Sequence, residues 1–253
     1  MALQALVFDV DGTLADTERD GHRPAFNAAF AHAGLPWHWD VALYGGLLGV
    51  TGGKERIRHF CERHDRDFLS RPDADDAIAA LHADKTRRYV AFASAGRVRL
   101  RPGVARLLTE AREAGMRLAV ATTTSPENVT ALLEVGLGPD GPGWFEVIGA
   151  GDVVPRKKPA PDIYLWVVER LRLRPDECLA IEDSSVGLHA AVTAGLPTVV
   201  TRSPYTVGDD MTGALAVLPD LTGVTLADLT ALHDTRQPVT DHPGTPARPG
   251  PPH

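Results

Sequence analysis

An apolar run near the start of the chain, residues 5–8, ends in the segment Asp9-Val10-Asp11-Gly12-Thr13-Leu14. The run has the length of a buried strand, and Gly12 lets the backbone turn sharply where that strand would leave its sheet. Side chains two residues apart leave a strand on the same side, so both carboxylates can reach one cation and one substrate oxygen. We predict that Asp9 is a nucleophile and that Asp11 is its acid/base partner. The alternative is an acidic turn without catalytic chemistry.

A second apolar run, residues 117–121, is followed by four consecutive hydroxyl side chains, Thr122, Thr123, Thr124 and Ser125. Ser125 stands before Pro126, which is typical of an N-cap and the first residue of a helix. A helix needs only one such cap, so the surplus hydroxyls favour phosphate binding. The alternative is that all four belong only to the start of the helix.

Two further segments of the chain contain charged residues that are candidates for the site. Lys158 precedes a proline-rich stretch, and its neighbours Arg156 and Lys157 are expected to be solvated. Lys158 is predicted to neutralise the charge of a phosphate and of the nucleophile, as cations do in phosphoryl transfer. The pair Glu182-Asp183 follows another apolar run. Asp183 is predicted to bind a metal, and simple helix capping is the alternative.

In their order along the chain, D-V-D-G-T-L, V-A-T-T-T-S, K-P-A-P-D and E-D resemble the motifs of the haloacid dehalogenase superfamily. Members with this signature are mostly magnesium-dependent phosphotransferases. The resemblance implies that Thr122 binds phosphate and that Mg²⁺ is held by the carboxylates of Asp9 and Asp183 and the backbone carbonyl of Asp11. Glu182 would support these ligands or join them. An all-oxygen ligand set without nearby His or Cys suits Mg²⁺.

The order of elements predicts the fold. Apolar runs indicate strands near residues 4–8, 117–121, 145–149, 178–181, 197–200 and 215–218, and helices lie between most of them. Strands that alternate with helices favour a parallel α/β sheet, whose ligands bind at the carboxyl ends of the strands. We predict a Rossmann-like parallel-sheet core with a small all-helical cap inserted after the first strand.

Residues 18–92 break the alternation and have the apolar spacing of four helices. They resemble the small helical cap of the superfamily, which excludes water from the sheet edge and contacts the part of the substrate that does not react. The predicted domains are core 1–17, cap 18–92, core 93–232 and a disordered proline-rich tail 233–253.

The segment Thr51-Gly52-Gly53-Lys54-Glu55-Arg56 opens a basic helix of the cap. Its backbone amides and Lys54 are placed to hold a second phosphate, since helix N-termini bind anions. A glycine-rich turn before a solvated helix is the alternative. This segment resembles the CbbY branch of the superfamily, which acts on sugar bisphosphates, chiefly xylulose 1,5-bisphosphate, an inhibitory by-product of carbon fixation.

The resemblance implies a set of substrate-binding residues, which are Asp16, His22, Tyr44, Gly52, Gly53, Lys54, Lys85, Thr123 and Thr124. His22 follows Asp11 by eleven residues, one more than is usual in the family. Two interpretations of His22 therefore stay open, a substrate contact and a residue that only starts a helix.

Composition narrows the classes of function. A net charge of −7 with scattered basic residues argues against nucleic acid as a partner. We expect no signal peptide, no membrane span and no obligate protein partner, and a cytoplasmic enzyme whose two cysteines are buried thiols.

Together these features predict a Mg²⁺-dependent sugar-phosphate phosphatase that acts through an aspartyl-phosphate on Asp9. A phosphomutase similar to β-phosphoglucomutase shares every motif, and a phosphoglycolate phosphatase is a further alternative. A signalling module whose aspartate merely accepts phosphate would lack both the helical insert and the Asp11 partner.

Overall fold

The computed structural model describes residues 2–235, and a six-stranded parallel sheet lies at its centre. The strands are β1 (Ala5–Phe8), β2 (Arg117–Ala121), β3 (Val147–Gly149), β4 (Cys178–Glu182), β5 (Thr198–Thr201) and β6 (Ala216–Leu218). Their order is β3-β2-β1-β4-β5-β6, so β1 lies between β2 and β4. All six form where the apolar runs predict them, and the predicted parallel α/β fold is confirmed.

The chain between β1 and β2 folds into the predicted helical insertion. It contains a π-helical turn (Glu18–His22) and α1 (Arg23–His32), α2 (Val41–Leu47), α3 (Gly53–His64), α4 (Arg66–Leu69) and α5 (Ala74–Ser94). Its core is largely aromatic: the Trp39 ring centroid lies 4.7 Å from that of Phe26 and 4.8 Å from that of Phe30. The insertion therefore has its own apolar core, separate from those that flank the sheet.

The insertion differs from its prediction in two places. The third and fourth predicted helices are one continuous helix, α5, because Ile78, Leu81, Lys85 and Tyr89 are buried at helical spacing without an intervening Gly or Pro. The predicted boundary at residue 92 consequently falls inside the last turn of α5. The short helices α2 and α4 are absent from the prediction.

Tertiary contacts explain why α2 forms despite two consecutive glycines, Gly45 and Gly46. The Asp40 carboxylate accepts a hydrogen bond from the Leu43 amide at 2.8 Å and so caps the helix. Tyr44 is fully buried in the aromatic core of the insertion. Packing therefore outweighs the low helix propensity of glycine.

Helices cover both faces of the sheet, as buried parallel strands require. One layer contains α6 (Val104–Glu113), α7 (Pro126–Leu137) and α10 (Leu226–Asp234), and the other contains α8 (Asp162–Leu171) and α9 (Ser185–Thr193). Leu107 of α6 packs in the same apolar cluster as Phe8 of β1. On the opposite face, Val167 of α8 packs in a cluster with Val7.

The ends of α7 differ in part from the prediction. Ser125 takes the N-cap position, but no capping hydrogen bond from its side chain forms within residues 2–235. At the other end, the helix continues past Gly136 to Leu137, and Gly138 follows at φ +93°. Gly136 instead lets Leu100 pack closely, because a Cβ there would lie 2.6 Å from the Leu100 side chain.

Two linkers join the insertion to the sheet domain, and they contact each other. Ala15 forms an antiparallel bridge with Leu100, and the Arg101 amide donates to the Leu14 carbonyl at 2.8 Å. The buried guanidinium of Arg101 also donates to the carbonyl oxygens of Gly12 and Thr201, next to the sheet edge. The chain therefore leaves and re-enters the sheet domain at nearly one point.

The proline-rich tail predicted for residues 233–253 lies almost entirely outside the described residues. Its first two residues, His233 and Asp234, still belong to α10. No helix within residues 2–235 is both long enough and apolar enough to cross a membrane.

Replacing Leu107 by Ala should lower the free energy of unfolding by about 2–5 kcal/mol, because it leaves a cavity beneath the sheet. Leu107 is fully buried, whereas Leu165 on α8 is 46% exposed. The matched variant Leu165→Ala should therefore change stability by less than about 0.5 kcal/mol. Urea unfolding of both variants measures the difference, and equal losses would contradict the assigned core.

Candidate active site

The carboxyl ends of the three central strands bring the sequence motifs together. Phe8 pairs in register with Val120 and with Ile181, so Asp9 lies level with Ala121 and Glu182. A cavity that is partly open to solvent lies between the sheet edge and the helical insertion. Its walls include Asp9, Asp11, Thr123, Lys158, Glu182 and Asp183 from the sheet side and Glu18, Leu48, Thr51 and Arg56 from the insertion.

Lys158 is the central cation of the cavity. Its Nζ donates to Asp9 Oδ1 at 2.7 Å, to Glu182 Oε1 at 2.6 Å and to the Ala121 carbonyl at 2.9 Å. Burial lowers the pKa of Lys158, but Asp9 and Glu182 outweigh burial and raise it above its ordinary value. The ammonium therefore stays charged and holds Asp9 in a fixed orientation.

Asp9, Glu182 and Asp183 form an acidic cluster. Each offers an oxygen, and these atoms lie within 4.8 Å of one another. Burial raises the pKa of Asp9 to about 7, against the opposing effect of Lys158. Burial and then Asp9 raise the pKa of Asp183 well above its ordinary value. The cluster thus contains more buried negative charge than Lys158 balances, and its oxygen-only donors fit a hard divalent cation.

Gly12 allows the first and fourth motifs to approach each other. Its φ is +88°, which L side chains rarely adopt. A Cβ on Gly12 would also overlap the Asp183 carboxylate. Both the backbone conformation and the space therefore require glycine at this position of the D-x-D-G segment.

Glu182, which is predicted to support or join the metal ligands, makes its closest contacts with Lys158 and Tyr164. Its Oε1 accepts from Lys158 and, at 2.6 Å, from the Tyr164 hydroxyl, and its carboxylate is almost fully buried. These contacts assign Glu182 to orienting the lysine. Its role as an additional ligand remains a prediction.

The carboxyl group of Asp11 points away from this cluster and towards the insertion. Thr17 Oγ1 donates to its Oδ1 at 2.6 Å, and His22 Nε2 lies 2.8 Å from the same oxygen. Burial raises the pKa of Asp11, but His22 and the Thr17 hydroxyl outweigh burial and lower it to about 2. His22 Nδ1 in turn lies 2.8 Å from Lys85 Nζ. Of the predicted substrate-binding residues, His22 therefore contacts Asp11 directly, and Lys85 contacts it through His22.

The hydroxyl segment after β2 lies at the same edge of the sheet. Thr122 is buried, and its hydroxyl accepts a hydrogen bond from the Thr124 amide at 3.3 Å. Thr123 lines the cavity, and Thr124 Oγ1 lies 3.5 Å from His22 Nε2. The segment is therefore in position for the predicted phosphate contacts, which remain a prediction.

The insertion also contributes Arg56, a buried cation that lines the cavity and is absent from the predicted site residues. Arg56 is 7% exposed, donates to the Tyr44 hydroxyl at 2.8 Å and lies 3.7 Å from Glu18. The Tyr44 hydroxyl also donates to Glu18. Helical spacing could have identified Arg56, because Gly53, Arg56 and the buried Phe60 share a face of α3.

Three predicted substrate contacts, Asp16, Tyr44 and Lys54, line neither this cavity nor the smaller pocket beside it, which His22 and Lys85 line. Asp16 pairs with Arg101 Nε at 3.4 Å on the linkers. Lys54 Nζ pairs with Asp152 Oδ2 at 2.7 Å on the outer side of α3, and its side chain is 41% exposed. Gly52 and Gly53 do lie beside the site, at the N-terminus of α3.

Comparison with known proteins agrees with this geometry. Residues 3–195 match the family described as haloacid dehalogenase-like hydrolase. Plasmid-encoded protein CbbY of Cupriavidus necator is 54% identical over 219 residues, which cover 87% of this chain and 86% of that protein. Protein CbbY of Rhodobacter capsulatus is 50% identical over 221 residues, which cover 87% and 95%.

Solved structures show the same relationship. A mutant of CbbY from Rhodobacter sphaeroides in complex with xylulose-(1,5)bisphosphate has a TM-score of 0.83 at 44% identity and covers 90% of this chain and 99% of that one. β-Phosphoglucomutase from Clostridium difficile has a TM-score of 0.74 at 19% identity, covers 92% and 97%, and shows the fold alone. The predicted enzyme class, a phosphatase of this superfamily, is confirmed. The chain belongs to the haloacid dehalogenase-like hydrolase family.

Proposed function

We propose that this enzyme is a Mg²⁺-dependent phosphatase that removes one phosphate from xylulose 1,5-bisphosphate. One observation carries the proposal: two buried cations, Lys158 beside Asp9 and Arg56 in the insertion, line the same cavity. A substrate with a phosphate at each end matches that arrangement. The relative from Rhodobacter sphaeroides, solved in complex with xylulose-(1,5)bisphosphate, supports the choice of sugar.

In the proposed first step, Asp9 attacks the phosphorus of the ester, and Asp11 gives its proton to the departing sugar oxygen. Asp11 must therefore be protonated when substrate is bound, and the incoming phosphate promotes this because a nearby negative charge raises the pKa of a carboxyl group. In the second step, water attacks the aspartyl-phosphate, Asp11 takes its proton, and inorganic phosphate leaves. The covalent intermediate divides one difficult reaction into two easier ones.

The side chains around Asp9 support these steps. Lys158 faces the nucleophile and stabilises negative charge on the transferring group, while Thr122 and Thr123 supply hydroxyl donors at the same sheet edge. The carboxylates of Asp9 and Asp183 and the backbone carbonyl of Asp11 would hold Mg²⁺. The bound cation would screen the charge between phosphate and the carboxylates.

The insertion excludes water and recognises the second phosphate in this proposal. Arg56 lines the cavity, and Gly52 and Gly53 at the N-terminus of α3 line the smaller pocket beside it, where a helix N-terminus favours anions. The net charge of −7 makes this local positive charge necessary for binding a bisphosphate. The two free, buried cysteines, Cys61 and Cys178, suit a cytoplasmic enzyme. In a carbon-fixing cell, the reaction would remove an inhibitory by-product.

Asp9→Asn should abolish the release of inorganic phosphate from xylulose 1,5-bisphosphate, because an amide does not attack phosphorus. The assay uses purified protein with Mg²⁺ and then with excess chelator, which should also stop the wild type. Circular dichroism checks that the variant is folded. Near-normal phosphate release by folded Asp9→Asn would refute the proposed nucleophile. If the wild-type enzyme isomerised a sugar phosphate without net release of phosphate, it would be a mutase.

Relative to Asp9→Asn, the metal-free protein should lose stability as pH rises from about 4 to about 7. The pKa of Asp9 is 3.8 unfolded and about 7 folded, so the folded protein binds more protons within this window. The shift corresponds to about 4 kcal/mol, and Asp183 contributes in the same direction. Mg²⁺ should restore stability near pH 7.5 and have little effect near pH 4.5.

Urea unfolding in chelator and in Mg²⁺ measures this dependence. Asp9→Asn is the matched control, because the amide does not titrate. Other groups titrate alike in both proteins, including His82, whose pKa burial lowers to about 3, so the difference in stability between the two proteins isolates Asp9. The Mg²⁺ response of the variant should be smaller. Equal slopes in the two proteins would show that the charge of Asp9 does not oppose folding.

Arg56→Met should impair bisphosphates more than monophosphates. A charge-assisted hydrogen bond to phosphate contributes about 1.5–3 kcal/mol, which is roughly 10- to 150-fold in kcat/KM. The measurement is the ratio of kcat/KM for xylulose 1,5-bisphosphate to that for xylulose 5-phosphate within each variant, because losses of folded protein cancel in the ratio. Arg56→Lys should recover part of the preference. An unchanged ratio in Arg56→Met would remove Arg56 from phosphate recognition.

A further inference from the structure

Four charged side chains of alternating sign cross the seam between the insertion and the sheet domain. Lys54 and Glu55 come from the first turn of α3, and Asp152 and Lys157 come from the loop between β3 and α8. Lys54 Nζ lies 2.7 Å from Asp152 Oδ2, and Lys157 Nζ lies 2.9 Å from both Asp152 Oδ1 and Glu55 Oε1. We call these four residues the seam clasp.

The seam clasp lies next to both cations of the cavity without lining it. Lys157 directly precedes Lys158, and Glu55 directly precedes Arg56. Between the two pairs, the Thr51 hydroxyl donates to the Lys158 carbonyl across the seam. The clasp therefore connects the turn that carries Arg56 with the loop that carries Lys158.

The contacts of the seam clasp depend on the insertion lying against the sheet domain. Lys157 is expected from sequence to be solvated, yet its side chain is only 13% exposed, between Glu55 and Asp152. Hydrogen bonds from Lys54 and Lys157 lower the pKa of Asp152 to about 2, so this carboxylate stays charged at physiological pH. If the insertion moved away, Asp152 would keep Lys157 but lose Lys54, and Lys157 would lose Glu55.

We propose that the seam clasp holds the helical insertion closed over the cavity and that Asp152 and Lys54 are positioning residues for the reaction. Lys54 then acts through closure and does not bind the second phosphate. Ion pairs of exposed side chains are individually weak and are screened by salt. A weak clasp suits an insertion that must reopen in every turnover to release product.

Hydrogen–deuterium exchange of the substrate-free protein tests the clasp directly. Asp152→Asn should speed exchange of the amides in residues 51–56 and in the linkers 15–20 and 95–100 by about 3- to 10-fold, the size expected when two surface ion pairs are lost. Arg156→Gln is the matched control, because Arg156 lies on the same loop but pairs with Asp162 inside the sheet domain. Exchange unchanged from wild type, or equally fast in the control, would overturn the proposal.

Kinetics test the consequence for turnover, and this part alone rests on the proposed function. Asp152→Asn and Lys54→Met should each lower kcat/KM by about 3- to 10-fold, and by the same factor for xylulose 1,5-bisphosphate and xylulose 5-phosphate. The double variant should be no worse than Asp152→Asn, because both changes break one contact. Additive losses, or a loss confined to the bisphosphate, would overturn the closing role. Absence of phosphatase activity would refute the proposed function and leave the exchange result standing.

Discussion

The buried ammonium of Lys158 is the interaction on which the site depends. It contacts Asp9 after β1, Glu182 at the end of β4 and the Ala121 carbonyl at the end of β2. A buried charge is tolerated only with close partners, and a lone nitrogen can reach all three oxygens only if these strands are neighbours. Lys158 can therefore make these three contacts only in a sheet in which β1 lies between β2 and β4.

The carboxyl groups around Lys158 differ in their tendency to carry a negative charge. Asp9 and Asp183 are buried with raised pKa values, whereas Asp11 is held as a carboxylate by His22 and Thr17. Carboxyl groups within one cavity thus differ in protonation because their neighbours differ. The acidic cluster suits a cation, and the carboxylate of Asp11 is held apart from it, as the proposed transfer of phosphate through Asp9 requires.

Most of the site follows from local sequence patterns, because each motif directly follows a strand and parallel strands end at one edge. Asp9, Asp183 and Lys158 are identified in this way. A local pattern does not distinguish Lys54 from Arg56. The two residues lie two positions apart on a helix and so face different directions, and the motif alone does not tell which one faces the cavity. The contact of Tyr164 with Glu182 and the formation of α2 across two glycines depend on tertiary packing, which no local pattern records.

The bridge between Ala15 and Leu100 has a consequence for how such a protein evolves. The insertion begins and ends at one place. Its length therefore affects the stability of the sheet domain only through the entropy of loop closure, which grows with the logarithm of length. Segments of different size and shape can be exchanged at this point while the strands that carry Asp9 and Lys158 keep their register. Chemistry and substrate choice can therefore be inherited separately, and new specificities can arise without rebuilding the catalytic edge.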